Sequence, residues 1–386
     1  MHFSSLAESL AAAKNPLYRL HEELLSQGRN VVDLVRGNVN EHGMVFPDEI
    51  LSDILRESAR DARIYRPDSF GQPLARSAIS RYYKDQLRPD QILLTPGTSV
   101  SYWYCFKLLC ESGEEVLTPQ PSYPLFDYIA KLCGVRLGTY RLREDRNWSI
   151  DLEQLENRIT TKTRAIVIIS PHNPTGMVMS KTELLGLAEI ALRHNLPIIS
   201  DEVFNEFIFE MEHFPRPLAT PAPLVFTLNG ISKMFALPGM KIGWIGVSGE
   251  EPLVKKSLSA LELISDTFLP VNEVGQFALP RIFERGESFL SRYRNWVKRC
   301  RDAAIGALSG CEFLEPQGGF YVTLPILRDE EQAAAQLLQE RDILVHPGYF
   351  YDIQPDHLVM TFIHEPDVVK SAFQQISELG HCRHGR

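Results

Sequence analysis

The sequence predicts an α/β fold, a mostly parallel sheet flanked by helices, followed by a smaller α+β domain. Three observations carry this expectation. Short apolar runs alternate with helix-like stretches through the middle of the chain, the pattern of a parallel sheet with helical crossovers. The runs are almost continuously apolar, as strands covered on both faces must be. Past about Gly275 the texture changes to a long polar helix pattern and then to a mixture of short strands and helices.

The strand-like runs are QILLT at Gln91 to Thr95, EVLT at Glu115 to Thr118, RAIVIIS at Arg164 to Ser170, LPIIS at Leu196 to Ser200 and LVFTL at Leu224 to Leu228. Residues 41–275 are expected to form the large domain. After it come GGFYVTL, a helix from Asp329 to Arg341, ILVHPG, HLVMTF and a final helix. With the N-terminal arm they are expected to form the small domain, residues 1–40 and 276–386.

With 386 residues, 44% hydrophobic and 23% charged, the chain is long enough and apolar enough for a substantial core. A formal charge of -9 and scattered Lys and Arg leave no footprint for nucleic acid. No stretch of ~18 uncharged apolar residues occurs, and the N-terminus lacks an export signal. A cytoplasmic location without membrane contact is therefore expected. The six cysteines form no C-x-x-C pair and read as reduced core thiols. The HCRH tail is polar and is given no metal or other role.

In an open parallel sheet, ligands bind beyond the carboxyl ends of the strands, so the residues that follow each strand matter most. RAIVIIS is followed by Pro171-His172-Asn173-Pro174-Thr175-Gly176, LPIIS by Asp201-Glu202, and LVFTL by Asn229-Gly230-Ile231-Ser232-Lys233. QILLT ends in Pro96-Gly97-Thr98-Ser99 ahead of an apolar helix, and a helix N-terminus with two hydroxyls attracts a phosphate. Each piece has a plainer reading: Thr98 or Ser99 as a simple N-cap, Asn173 as a turn residue, Asp201 as a cap, Lys233 as a surface cation. Together, an amine, a carboxylate, an amide and a phosphate cradle on one sheet edge are what pyridoxal 5'-phosphate requires. The lysine forms the Schiff base, the carboxylate keeps the pyridine nitrogen protonated, and the amide donates to the phenolic oxygen.

On SPHNPTG, SDEVF and SKMFALPGMKIGW the chain resembles the class I/II aminotransferases of pyridoxal-phosphate fold type I, and the likeness covers nearly the whole chain. The resemblance implies Lys233 as the cofactor-linked lysine and proton shuttle, Asp201 as partner of the pyridine nitrogen and Asn173 as donor to the ring oxygen. Gly97, Thr98, Ser99 and Ser232 would hold the phosphate, with Lys241 in the place of the family's phosphate-binding arginine. Tyr123, in PSYP, matches the aromatic that stacks on the ring. Tyr65 is similar to the tyrosine that reaches the phosphate of the neighbouring subunit, which implies a homodimer with shared sites. The implied activity is transfer of an amino group between an amino donor and a keto acid.

Three positions depart from the family pattern. Phe204 stands where a tyrosine hydroxyl is usual, Lys241 keeps the charge of an arginine but loses its fork, and Val359 falls where an arginine commonly grips the substrate α-carboxylate. His346, Tyr349, Tyr351 and the backbone near Gly37 are candidates to replace that grip. Phe204 and Val359 also motivate an alternative reaction on the same scaffold: lyase, cyclase, racemase or decarboxylase chemistry on a non-standard substrate. A transcription-regulator effector domain and a nucleotide enzyme are disfavoured, the latter because no glycine-rich phosphate loop follows any strand.

Overall fold

The computed structural model describes residues 2, 4–9, 14–210, 214–269 and 271–378. At its centre lies a sheet of eight strands: β1 (Ile92–Thr95), β2 (Glu115–Gln120), β3 (Arg136–Arg143), β4 (Ser149–Ile150), β5 (Thr163–Ile169), β6 (Ile198–Asp201), β7 (Leu224–Gly230) and β8 (Gly243–Gly249). Their spatial order is β1-β8-β7-β6-β5-β2-β3-β4. Strands β7, β6, β5, β2 and β3 pair in parallel. β8 inserts antiparallel between β1 and β7, and β4 closes the far edge antiparallel to β3.

Successive residues of the central strands enter opposite apolar layers. Val167, Ile199 and Phe226 join one cluster with Leu93, Cys105 and Phe106, while Ile166, Ile198 and Val225 join the other with Leu184 and Leu187. This period of two, apolar on both faces, is why the runs read as continuous in the sequence. Each of the five runs expected as strands is one. Two long strands were not anticipated: β3, whose sequence RLGTYRLR carries three arginines, and β8, whose sequence GWIGVSG is thinned by glycines.

Those glycines answer a spatial demand. A Cβ on Gly243 would lie 3.0 Å from both the Asn229 carbonyl oxygen and the Cα of Gly97, and one on Gly230 would lie 2.7 Å from the Ile242 carbonyl oxygen. Because β8 is antiparallel to both neighbours, its first residue sits at their carboxyl ends, with Gly243 opposite both Thr95 and Gly230. The turn after β1 is thereby drawn against the end of β7.

A second sheet is made of β9 (Tyr321–Pro325), β10 (His346–Pro347) and β11 (His357–Thr361), in the antiparallel order β9-β11-β10. The N-terminal segment joins this part of the molecule through Val32–Asp33, which pairs in parallel with Ile343–Leu344. Cys105, Cys110, Cys133 and Cys300 are free thiols. Cys311 is disulfide-bonded, which corrects the expectation of reduced thiols at that position. It is partly exposed beside the last helix, whereas Cys105 and Cys300 are sealed in the core. Cys382 and the HCRH tail lie outside the described residues. Among the described residues no helix is long and apolar enough to cross a membrane.

The close approach at Gly243 leads to a stability prediction. Gly243→Ala pushes its methyl into two backbones and should cost about 1–3 kcal/mol in urea unfolding. Gly239→Ala, at a position with nothing within 4 Å, should stay within about 0.5 kcal/mol of the parent.

Candidate active site

Five strand ends, those of β1, β2, β5, β6 and β7, converge on one cavity of about 220 Å³, and Tyr123 comes from the turn after β2. The turn after β5 contributes Asn173. It is pinned from the far side, because the Gly176 carbonyl accepts from the backbone N–H groups of Gln317 and Gly318, both at 2.8 Å. The end of β6 contributes Asp201, whose two oxygens accept from the Val203 N–H at 3.0 Å and the Tyr102 hydroxyl at 2.9 Å. Burial raises the Asp201 carboxyl to about 6, against the lowering effect of both hydrogen bonds.

After β7 the chain turns into the short helix Ile231–Met234, which carries Ser232 and Lys233 into the cavity. The Lys233 amine donates to the Gly37 carbonyl at 3.1 Å and lies over the rings of Phe204 and Phe320. Desolvation there lowers its pKa to about 8. After β1, Gly97 adopts φ +114° and opens the helix Thr98–Leu109. The N-cap is Gly97 itself, and no side chain caps the helix. The reading of Thr98 or Ser99 as an ordinary cap therefore does not hold: both instead line the cavity at an uncapped, anion-attracting helix end.

Seven of the expected residues line this cavity: Thr98, Ser99, Tyr123, Asn173, Asp201, Ser232 and Lys233. Gly97 shapes the turn beneath them. Lys241 lies outside the lining, exposed at a left-handed φ of +53° just ahead of β8. Tyr65 is 70% exposed and borders a separate cleft with Asp68, Leu94 and Glu273. Besides apolar wall residues, two hydroxyl-bearing lining residues were not anticipated, Tyr102 and Tyr321. Tyr102 was within reach of helical spacing, since it follows Thr98 by four residues on one helix face. Tyr321 lies in GGFYVTL on the second sheet, where a strand aromatic gives no sign that it faces a cavity.

The departures are also resolved. Phe204 packs against Phe320 and Tyr321, with ring centroids 4.9 and 6.1 Å away. Val359, at the middle of β11, is buried in an apolar cluster with Tyr351 and Ile353. Of the candidate replacements, His346 is held between the Tyr18 hydroxyl at 2.6 Å and the Tyr351 hydroxyl at 3.0 Å, and Tyr349 accepts from Asn15 at 2.9 Å. None of His346, Tyr349 and Tyr351 lines the cavity, whereas the Gly37 carbonyl touches Lys233 directly.

Behind Asp201, the fully buried Glu202 pairs with Arg216 at 2.8 Å. Burial still pushes the Glu202 carboxyl up to about 7, although Arg216 pulls it down. The Arg216 guanidinium lies 4.7 Å from the Tyr83 ring centroid, so the pair is packed as well as charged.

The fold and cavity define an enzyme of the aminotransferase type, and comparison with known proteins agrees. The family model for aminotransferase class I and II matches residues 29–376, and the chain belongs to that family. It is 30% identical to a glutamate-pyruvate aminotransferase of Escherichia coli over 94% of each chain, and 27% identical to an alanine aminotransferase of Mycobacterium tuberculosis over 92% of this chain and 86% of that one. Among solved structures it matches an E. coli aminotransferase with a TM-score of 0.87 at 28% identity over all of both chains. It also matches a Pyrococcus furiosus alanine aminotransferase with a TM-score of 0.89 at 25% identity, covering 98% of this chain and 99% of the other. The chain is thus a pyridoxal-phosphate-dependent aminotransferase, with amino-acid and keto-acid substrates implied by the family. Its cavity suits that cofactor in chemistry: a lysine amine of lowered pKa, a buried carboxyl without a cation, and an uncapped helix end.

The Asp201 shift has a definite sign. Its folded-state pKa is raised, so the stability it contributes is fully present below about 4 and is lost as pH rises through about 6. In the cofactor-free protein, Asp201→Asn should therefore gain on the parent between pH 4 and pH 8, by up to about 3 kcal/mol. Urea unfolding of both proteins at the two pH values measures it; a difference that stays constant would show that Asp201 is not held neutral by burial.

Proposed function

We propose that Lys233 is the residue that binds the cofactor covalently and moves the proton as an amino group passes from an amino donor to a keto acid. One observation carries this reading: the Lys233 amine shares a single cavity with Asp201, Asn173 and the N-terminus of helix Thr98–Leu109. When bound, pyridoxal phosphate supplies the electron sink, and the side chains supply binding, orientation and proton transfer. A pKa near 8 leaves part of the Lys233 population neutral and nucleophilic at physiological pH. Asp201 would hold the ring nitrogen, and a positive charge there would reverse its upward shift. Asn173 would donate to the ring oxygen and Tyr123 would cover the ring face. Gly97, Thr98, Ser99 and Ser232 would take the phosphate, with Lys241 ahead of β8 adding charge.

A homodimer with shared sites completes the reading. Ile64, Tyr65, Leu263 and Phe268 are large apolar or aromatic side chains that are more than half exposed, as a partner-facing surface would be. Tyr65 of the partner subunit would reach the phosphate. Residues 41–275 would form the cofactor-binding domain, and residues 1–40 with 276–386 the small one. The free thiols of Cys105, Cys133 and Cys300 accord with the cytoplasm, and the disulfide at Cys311 counts the other way.

The names of the relatives make alanine, glutamate and pyruvate the first compounds to test. An amino donor should convert the bound cofactor to its amine form, seen by visible absorption, and a keto acid should restore it. Release of ammonia or carbon dioxide without that conversion would overturn the reading. Lys233→Ala should lose the absorption band of the lysine-linked cofactor, and an unchanged spectrum would count decisively against Lys233. For the assembly, sedimentation should give twice the chain mass. Tyr65→Phe should weaken cofactor affinity about tenfold, the loss of one charge-assisted hydrogen bond; monomeric protein with unaltered affinity would rule out the shared site.

A further inference from the structure

His346 opens β10 opposite Val359 and is buried, yet both of its ring nitrogens reach phenols from different parts of the chain. Nε2 lies 2.6 Å from the hydroxyl of Tyr18, on helix Pro16–Ser26. Nδ1 lies 3.0 Å from the hydroxyl of Tyr351, at the end of the 3₁₀ turn Gly348–Tyr351. Phe350 stacks on the imidazole, with ring centroids 4.6 Å apart and 8° between the planes. Desolvation lowers the His346 pKa to about 4, so the ring is neutral at physiological pH. A neutral imidazole has one N–H and one lone pair, and it therefore donates to one phenol and accepts from the other. A phenylalanine would serve the packing; the two nitrogens add a link between two hydroxyls.

The link matters for what Tyr351 holds. Its backbone carbonyl accepts from the Ser122 N–H at 2.9 Å, and the next carbonyl, that of Asp352, accepts from the Gln120 side chain at 3.3 Å. These two bonds fasten the turn that runs from β2 to Tyr123. On its other side the turn enters helix Leu125–Cys133, where the Tyr123 carbonyl accepts from the Phe126 N–H at 3.2 Å. Tyr123 itself is 40% exposed and meets Phe126 edge-on, with ring centroids 6.2 Å apart. A ring with that much open surface is aimed chiefly by the backbone that carries it. The Ser122 N–H comes one residue before Tyr123, and its acceptor belongs to the residue whose hydroxyl His346 binds.

We propose that His346 is a positioning residue for the reaction: by joining the Tyr18 and Tyr351 hydroxyls it holds the Tyr351 carbonyl against the turn of Tyr123, and so sets the lie of that ring in the cavity. The proposal rests on the reading of Tyr123 as the aromatic that covers the cofactor ring. His346 lies outside the cavity lining and acts through Tyr351. Tyr18 fixes the other edge of the imidazole, so that helix Pro16–Ser26, β10 and the 3₁₀ turn form one piece. Asn15 caps the same helix and donates to the Tyr349 hydroxyl at 2.9 Å, a second tie between the same segments. Loss of either phenol or of the imidazole leaves a buried polar atom unpaired. It also frees the Tyr351 side chain to turn, and the carbonyl that receives Ser122 turns with it.

The first test uses the cofactor-free protein. Hydrogen exchange read by mass spectrometry isolates the amides of Ser122 and Tyr123, because the flanking Pro121 and Pro124 carry none. Tyr18→Phe and His346→Phe should each speed Ser122 exchange about tenfold, the worth of one hydrogen bond, while the amides of β6 keep the parent rate. His346→Gln, which retains a donor and an acceptor, should restore the slow exchange. The second test uses the holoenzyme with L-alanine and L-glutamate as amino donors. Tyr123→Ala and His346→Phe should each shift the visible circular dichroism of the cofactor in the same direction and lower kcat, and the double variant should be no slower than Tyr123→Ala alone. Tyr18→Phe takes the place of His346→Phe in both tests where the latter does not fold. Parent-like Ser122 exchange in these variants, or losses in kcat that add in the double variant, overturns the proposal alone. If Tyr123→Ala leaves the dichroism and kcat of the parent, the reading of Tyr123 falls and the proposal with it.

Discussion

Three backbones pass within contact distance at Gly97, Gly230 and Gly243, and the active-site edge is built on that approach. With side chains there, β8 could not lie between β1 and β7 at their carboxyl ends, and the turn that opens helix Thr98–Leu109 would separate from the strand that leads into Lys233. The constraint is steric, yet its result is electrostatic. It sets a helix N-terminus, which favours an anion, against the short helix that carries the lysine. On the function proposed here, a phosphate at one end and a covalent link at the other would fix a flat cofactor between two parts of the same sheet edge.

Around that edge the protein tolerates buried ionisable groups that a core built for stability alone would exclude. The Asp201 carboxyl is raised to about 6 and the Lys233 amine lowered to about 8, each by desolvation, and Glu202 is likewise pushed up although Arg216 is beside it. Such groups weigh against folding as the charged forms are demanded. They are tolerable because the layers on either face of the sheet are almost wholly apolar, from Val167, Ile199 and Phe226 on one side to Ile166, Ile198 and Val225 on the other. A cofactor with a positive ring nitrogen and a phosphate would relieve part of the strain by giving Asp201 a cation and the helix end an anion. Cofactor binding and stability are coupled by the same charges.

What could be read from the sequence follows from what kind of signal each feature leaves. Asp201, Asn173 and Lys233 were legible because each directly follows an apolar strand, and parallel strands place their carboxyl ends side by side. β8 was not, because its glycines serve contacts with Gly97 and with Asn229, residues distant in sequence. β3 was hidden by its three arginines. At Thr98 and Ser99 the sequence offered both a phosphate cradle and a plain cap, and the structure removes the second by making Gly97 the bare N-cap and setting both hydroxyls on the cavity wall. The disulfide at Cys311 left no spacing pattern to find.

Tyr321 was beyond sequence reasoning because its position depends on how the two sheets meet. The link is short and specific: the Gly176 carbonyl binds the backbone at Gln317 and Gly318, and a Cβ on Gly176 would lie 2.7 Å from the Tyr321 carbonyl oxygen. The turn that presents Asn173 is therefore fastened to the strand that presents Tyr321, and both side chains line the cavity. Across the cavity, Gly37 follows Leu34, whose carbonyl accepts from the Thr361 N–H of the second sheet at 2.6 Å, and the Gly37 carbonyl receives Lys233. The side of the cavity formed by Tyr321 and the Gly37 carbonyl is thus tied to the second sheet, whereas Thr98, Asn173, Asp201 and Lys233 project from the strand ends of the first, so the cavity exists only where the two sheets meet.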